Sequence, residues 1–328
     1  MSHPIRIGIV GYGNLGRGVE LALGQNHDMS LVGVFTRREP DTVKLVNADV
    51  PVYKLADIES FKDKIDVLIL CGGSKEDLPK QGPELARWFN TIDSFDTHAK
   101  IPDYYEAVDA VARPANKTSI IAVGWDPGLF SLNRLAGEVV LPEGDTYTFW
   151  GKGLSQGHSD AVRRVAGVKA GVQYTLPVQE AMDRVRRGES PQLSTREKHR
   201  RECYVVLEEG ADEATVRNAI VTMPDYFADY DTTVHFVSEA ELKAEHSSMP
   251  HGGFVIRSGR SGAGTKQVVE YSLTLDSNPE FTSSVLVAYA RAAYRLNAKG
   301  RYGAKTVFDI APGLLSPKSA AELRKELL

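Results

Sequence analysis

Ile5-Arg6-Ile7-Gly8-Ile9-Val10 runs directly into Gly11-Tyr12-Gly13-Asn14-Leu15-Gly16, and a helical pattern continues to Leu23. A G-x-G-x-x-G loop alone is a weak signal. One that leaves a β-type run and opens a helix is the fingerprint of a dinucleotide-binding βαβ unit. The spacing has a geometric reason: Gly11 permits the tight turn, Gly13 lets the backbone approach a pyrophosphate, and Gly16 lets helix and strand pack closely. The helix N-terminus then offers unpaired N–H groups and partial positive charge to the phosphates, so Gly11 to Gly16, with Tyr12, Asn14 and Leu15 between the glycines, are candidate cofactor contacts. Further on, NAD-type sites place an acid against the ribose 2′-hydroxyl. Here the second apolar run, Leu31–Phe35, ends in Thr36-Arg37-Arg38. Two guanidiniums and a hydroxyl bind a 2′-phosphate by charge-assisted hydrogen bonds, so the cofactor expected is NADP. The competing reading makes Arg37 and Arg38 solvated loop charges.

Further β-type runs at Val67–Cys71, Thr91–Phe95 and Ser119–Val123 alternate with helical stretches, which predicts an α/β fold with a Rossmann-type, doubly wound parallel sheet. Ligands in such sheets sit outside the carboxyl ends of the strands. Those ends read Cys71-Gly72-Gly73-Ser74, then Asp96-Thr97-His98, then Gly124-Trp125-Asp126-Pro127-Gly128 before a helix from about Leu129-Phe130. The small residues let a cofactor pass close. Asp96 and Asp126, at corresponding strand ends, form a pair able to hold an ammonium and take up a proton. The blander alternative makes Asp126 a helix N-cap and Asp96 a turn residue.

From Thr146 onward the texture changes. Candidate strands at Tyr147–Trp150, Glu202–Leu207, Thr232–Val237 and Gln267–Leu275 look antiparallel and suggest an α+β second domain. Asn278 reads as an N-cap with Pro279 at the first helical position, followed by an amphipathic helix through Leu296. Gly153-Leu154-Ser155-Gln156-Gly157 matches the G-x-S-x-G nucleophile elbow, but the sheet before it belongs to a nucleotide fold and His251-Gly252-Gly253 follows it far downstream. It reads better as a loop whose backbone N–H groups and Ser155 and Gln156 side chains receive an anionic group. The basic run from Arg184 to Arg201 is expected to be mostly a solvated face, with Arg201 placed to clamp a carboxylate. His199, His246 and His251 have no common zinc spacing, and Cys71 and Cys203 give no metal knuckle or disulfide framework, so no metal is expected.

The 328 residues carry 39 Lys and Arg against 43 Asp and Glu, a net charge of −4, which argues against nucleic acid and anionic membranes as partners. No apolar run approaches the roughly 18 residues of a spanning helix, and no signal peptide is expected. A soluble, cytoplasmic enzyme is the reading.

The glycine loop with T-R-R, together with S-F-D-T-H, G-W-D-P-G, F-W-G-K-G-L-S-Q-G-H-S-D-A, Q-Y-T-L-P, M-P-D-Y-F, M-P-H-G-G and D-S-N-P, resembles the meso-diaminopimelate dehydrogenase family from Ile5 to about Pro317. The resemblance implies NADP-dependent oxidative deamination at the D-centre of meso-2,6-diaminopimelate, giving L-2-amino-6-oxopimelate and ammonia, in lysine biosynthesis by a cytoplasmic homodimer. It implies a dinucleotide domain at residues 1–124 completed by 276–328, interrupted by a substrate-binding and dimerisation domain at 125–275. It also implies that Asp96 and Asp126 lie at the reacting amino group and that Trp125, Phe149 and Trp150 shape the pocket. Ser155, Gln156 and Gly157 would meet substrate, Thr175, Arg201 and His251 would hold the remote carboxylate, and Asn278 would add a polar contact. Cofactor contacts would extend to His98 and to Pro127, Gly128, Leu129 and Phe130. The sequence departs from the pattern in C-G-G-S and in a longer loop near Val43–Asp49. The alternatives are another NADP-linked reductase of the same architecture, such as a dihydrodipicolinate reductase or homoserine dehydrogenase, and a non-catalytic NADP sensor.

Overall fold

A computed structural model describes residues 3–328 and divides the chain into two compact units. One comprises the described residues up to Leu132 together with Pro279–Leu328; the other is Asn133–Asn278. The first stretch contains β1 (Ile5–Val10), α1 (Asn14–Gly24), β2 (Met29–Thr36), β3 (Val52–Lys54), β4 (Val67–Leu70), α2 (Leu78–Leu85), β5 (Asn90–Asp93), α3 (Ile101–Ala112), β6 (Thr118–Ile120) and α4 (Leu129–Val140). The middle contains β7 (Glu143–Trp150), β8 (Gly153–Leu154), α5 (Gln156–Arg163), β9 (Val168–Pro177), α6 (Gln179–Arg186), α7 (Thr195–Lys198) and β10 (His199–Leu207). It continues with α8 (Glu213–Val221), β11 (Asp231–Phe236), α9 (Glu239–Glu245), β12 (His251–Ser261) and β13 (Thr265–Leu275). The chain closes with α10 (Asn278–Asn297), β14 (Gly303–Lys305) and α11 (Ala320–Leu327).

In the first unit seven strands form one parallel sheet in the order β14-β6-β5-β4-β1-β2-β3. Side chains alternate between its faces. Ile7, Ile9, Val67 and Ile69 pack with Val19 and Leu23 of α1 and with Val285, Leu286 and Tyr289 of α10. Val10, Leu68 and Leu70 pack on the other face with Leu78 and Leu85 of α2 and Tyr104 and Val108 of α3. Both faces are covered, as an all-parallel sheet requires, and the doubly wound fold expected from the glycine loop is the one observed.

β5 and β6 end earlier than their apolar runs suggest, at Asp93 and Ile120. The Asp93 carboxylate accepts the N–H groups of Phe95 and Ala122, and Ala122 takes a φ of 55°, so the chain leaves the sheet before Phe95 and Val123.

The second unit holds a four-stranded sheet, β11-β10-β9-β8, and a three-stranded antiparallel sheet, β13-β12-β7. One expectation fails here. β10 and β11 pair in parallel, because the connection through α8 carries the chain back to the starting end, which a hairpin does not do. β9 and β12 were not anticipated; β12 carries Gly252, Gly253 and Gly259, which weaken a strand signal. α10 starts at Asn278 itself, one residue earlier than an N-cap at that position would place it.

Arg291 of α10 is buried and binds Asp28 through two nitrogens, at 2.6 and 2.7 Å, as well as the Asn26 side chain and the Leu315 carbonyl. The guanidinium holds the Asp28 carboxyl below its usual range. A depressed carboxyl stabilises the fold above its unfolded value, and that contribution is lost as pH falls through the folded one. Asp28→Ala strands the buried cation and is expected to cost about 3 kcal/mol in urea unfolding at neutral pH, with a smaller difference from the parent in acid.

Candidate active site

At the carboxyl ends of β1, β2 and β4 lies a cavity of about 320 Å³, lined by Gly11, Tyr12, Gly13, Thr36, Arg37, Arg38, Cys71, Gly72 and Gly73, with Val10, Phe35, Leu55, Asp77 and Gln81. Gly11 has a φ of 87°, and a Cβ on Gly16 would stand 2.3 Å from the Gly11 carbonyl oxygen, so the turn closes only with glycine at both places. A Cβ on Gly13 would meet nothing within 4 Å, leaving its backbone open to a ligand. Asn14, Leu15 and Gly16 form the first turn of α1. The Arg38 guanidinium donates to the Tyr12 carbonyl at 2.5 Å and the Arg38 backbone N–H to Thr36 Oγ1 at 3.1 Å, while Arg37 pairs with Asp77 at 2.8 Å. A glycine turn, a helix N-terminus and two arginines fit a phosphorylated dinucleotide.

The longer loop after Arg38 is held by Glu20, a residue the sequence did not single out. Its carboxylate accepts the N–H groups of Val46 and Asn47, at 3.1 and 2.7 Å, and the Tyr12 hydroxyl. Burial first, then the Glu20 bond, pushes the Tyr12 phenol up to about 12.

Asp96 is exposed on the loop after β5, its N–H donating to Ser74 Oγ at 3.1 Å, with His98 just beyond. Asp126 is partly buried on the loop after β6, beside Pro127 and Gly128. Trp125 is buried and meets Phe130 edge-on at 5.2 Å. Leu129 begins α4 and Phe130 is fully buried, so Phe130 serves packing in the state described.

The second unit gathers the other candidates. Arg201 on β10 faces its cross-strand partner Thr175 on β9, and Gly153 pairs with Thr175 from the other side. Arg201 is 6% exposed, binds Thr175 Oγ1, and lies with its guanidinium 3.9 Å from the Tyr230 ring centroid. Its Nε is buried without a protein partner, which fits a cation prepared for an outside anion, while the Oε1 of the nearby strand residue Gln173 is a buried acceptor left open to a donor. Thus one arginine of the basic run is buried, while Arg184, Arg186 and Arg187 pair with Glu189 and Glu270.

Ser155 caps α5, and its Oγ lies 2.8 Å from His158 Nδ1, so the elbow-like motif is a helix cap. Gln156 donates to Met249 Sδ at 3.1 Å, and Gly157 is exposed beside it. Backbone bonds from Leu154 to Pro250 and from Asn278 to Met249 tie these residues to the start of β12, where His251 sits. A Cβ on Gly153 would lie 2.4 Å from the His251 ring, so glycine there makes room for the imidazole. Phe149 is fully buried among Tyr147, Met182 and Ile256, whereas Trp150 is 37% exposed and stacks on His199 at 5.2 Å. His199 accepts the Trp150 N–H at 2.8 Å; burial, with the charge of Arg201 adding, lowers it to about 3, and the same causes lower His158 to about 4. Both stay neutral beside the arginine. Tyr230 had no sequence signal and His199 was weighed only as a metal ligand, since the partners of both, Arg201 for Tyr230 and Trp150 for His199, are fixed by strand pairing and packing. Among the described residues no group of three or more His, Cys, Asp or Glu could hold a metal ion.

Residues 124–277 match the family described as diaminopimelic acid dehydrogenase C-terminal domain. The chain is 70% identical over 324 residues to a meso-diaminopimelate D-dehydrogenase of Ureibacillus thermosphaericus, covering 99% of both. Its fold is similar to that of a Corynebacterium glutamicum DAP dehydrogenase in complex with DAP, at TM-score 0.91 and 45% identity, covering 100% of both chains. It is also similar to an engineered D-amino acid dehydrogenase bound to NADP+, at TM-score 0.86 and 44% identity, covering 99% of this chain and 100% of that one.

Gly16→Ala, which drives a methyl into the Gly11 carbonyl, is expected to weaken NADP binding at least tenfold, about 1.4 kcal/mol, in a fluorescence titration.

Proposed function

This chain belongs to the meso-diaminopimelate D-dehydrogenase family, and from that membership we propose how its own residues carry the reaction. The enzyme catalyses the NADP-dependent, reversible oxidative deamination of the D-centre of meso-2,6-diaminopimelate to L-2-amino-6-oxopimelate and ammonia, a step of lysine biosynthesis. NADP, when bound, supplies the hydride acceptor.

The residue roles are our reading. Gly11 to Gly16, Thr36, Arg37, Arg38, Cys71 to Ser74 and His98 hold the cofactor, with Pro127, Gly128 and the α4 start completing its site. Asp96 and Asp126 orient the amine at the D-centre, in its neutral form, and one of them accepts its proton; water then hydrolyses the imine. Trp125, Phe149 and Trp150 shape the pocket, with Phe149 acting from the core. Arg201, Thr175 and His251 receive the remote carboxylate, and Ser155, Gln156, Gly157 and Asn278 meet the rest of the substrate's L-centre. The observation that carries this reading is the buried Arg201 with its unpartnered Nε, a desolvated donor that an incoming carboxylate can satisfy. Holding the L-centre decides which carbon can react, and that is a physical source of stereoselectivity.

We assign substrate binding and dimerisation to the segment 125–275 and cofactor binding to 1–124 with 276–328. Within the second unit, Val139 and Val140 of α4 are 65% and 64% exposed, and Val268 and Val269 lie exposed on edge strand β13. Such apolar exposure suits a homodimer interface. Among the described residues no helix is long and apolar enough to cross a membrane, which agrees with the proposed cytoplasmic location.

Arg201→Ala is expected to lower kcat/KM for meso-diaminopimelate at least a hundredfold, about 2.7 kcal/mol, with NADP affinity unchanged. An unaltered kcat/KM would remove the clamp role. NADPH formation with the meso compound and none with the LL isomer is the matching expectation for stereochemistry. In sedimentation, a particle of twice 35.9 kDa is expected.

A further inference from the structure

Asp93 closes β5 and is 1% exposed, yet the roles assigned above do not use it. Its Oδ1 accepts the N–H of Phe95 at 3.0 Å and the N–H of Ala122 at 3.1 Å. Its Oδ2 accepts the Tyr104 hydroxyl at 2.8 Å, and its carbonyl accepts the N–H of Val123 at 2.9 Å. Three residues after Asp93 comes Asp96; four after Ala122 comes Asp126. Ala122 has a φ of 55°, a conformation that a non-glycine residue keeps only when its surroundings hold it. The Tyr104 ring stacks on Phe95 at 4.3 Å, so the hydroxyl partner is itself fixed.

We propose that Asp93 is a positioning residue for the reaction: one buried carboxylate holds in register the two loops that present Asp96 and Asp126. The proposal rests on the reading that those two acids act at the reacting amine. Catalytic groups on separate loops require a common anchor, because a displacement of about 1 Å at the reacting centre can cost a hundredfold in rate. Tyr104 is the titratable group facing Asp93; burial raises the Asp93 carboxyl, the three donated hydrogen bonds lower it, and the balance leaves it pushed up to about 6. Its two oxygens accept from all three donors.

The test compares Asp93→Asn and Asp93→Ala with Asp96→Asn and Asp126→Asn, measuring kcat and KM for meso-diaminopimelate, NADP affinity and Tm. An asparagine oxygen still accepts both N–H groups while its amide faces the Tyr104 oxygen, so Asp93→Asn is expected to stay within threefold of the parent kcat. Asp93→Ala removes both acceptors and is expected to lose at least thirtyfold in kcat at a temperature well below its Tm, with NADP affinity changed less than fivefold. If the alanine variant does not fold, Asp93→Ser takes its place. A lower Tm with kcat within threefold of the parent, while Asp96→Asn and Asp126→Asn lose activity, leaves Asp93 a purely structural residue and overturns the proposal. Equal loss in Asp93→Asn and Asp93→Ala also overturns it, since charge and not acceptor geometry would then be at work. If Asp96→Asn and Asp126→Asn keep full activity, the acid-pair reading fails and the positioning role with it.

Discussion

A parallel sheet with apolar side chains on both faces must be covered on both, and the cover leaves only the strand ends open to chemistry. In the first unit Ile7, Ile9 and Ile69 face α1 and α10 while Val10, Leu68 and Leu70 face α2 and α3. Each loop that carries a polar candidate therefore starts where a strand runs out: Gly11 after β1, Arg37 after β2, Gly72 after β4, Asp96 after β5 and Asp126 after β6. The chemistry collects at one edge because the remainder of the sheet has no solvent to face.

The second unit meets a different constraint. Arg201 is buried, and burial pulls a guanidinium below its ordinary value, so everything near it has to avoid adding positive charge. His199 and His158 are buried and held neutral, Tyr230 offers the face of its ring, and Thr175 offers a hydroxyl. The arrangement leaves one charge awaiting a counter-ion. A carboxylate would supply it, which fits the remote carboxylate of the substrate proposed for this place.

Local pattern carried far where the physics is local. The glycine loop is legible because a tight turn, a close backbone approach and a helix start impose residue types at fixed offsets, and the T-R-R run is legible because it follows a strand end directly. Asp93 was invisible for the opposite reason: its partners Phe95, Tyr104, Ala122 and Val123 lie on three segments, and an aspartate three residues before another reads as turn chemistry. Glu20, buried and bonded to the N–H groups of Val46 and Asn47, has partners some 26 residues along the chain, which no local pattern marks. The parallel pairing of β10 with β11 was missed because a strand's alternation reports which face is buried and carries no mark of its neighbour's direction.

The sequence by itself determined the dinucleotide fold, the preference for a 2′-phosphate, the candidate acids and, through its long motifs, the family. Those properties rest on spacing along the chain, where glycine conformations, helix termini and strand ends act over a few residues. Tertiary structure alone decided that Arg201 is buried while Arg184, Arg186 and Arg187 pair with carboxylates, that Phe149 belongs to the core while Trp150 is exposed, and that one carboxylate ties the loops of Asp96 and Asp126 together. Burial and hydrogen-bond partnership depend on which segments meet in space, and a one-dimensional pattern does not contain that.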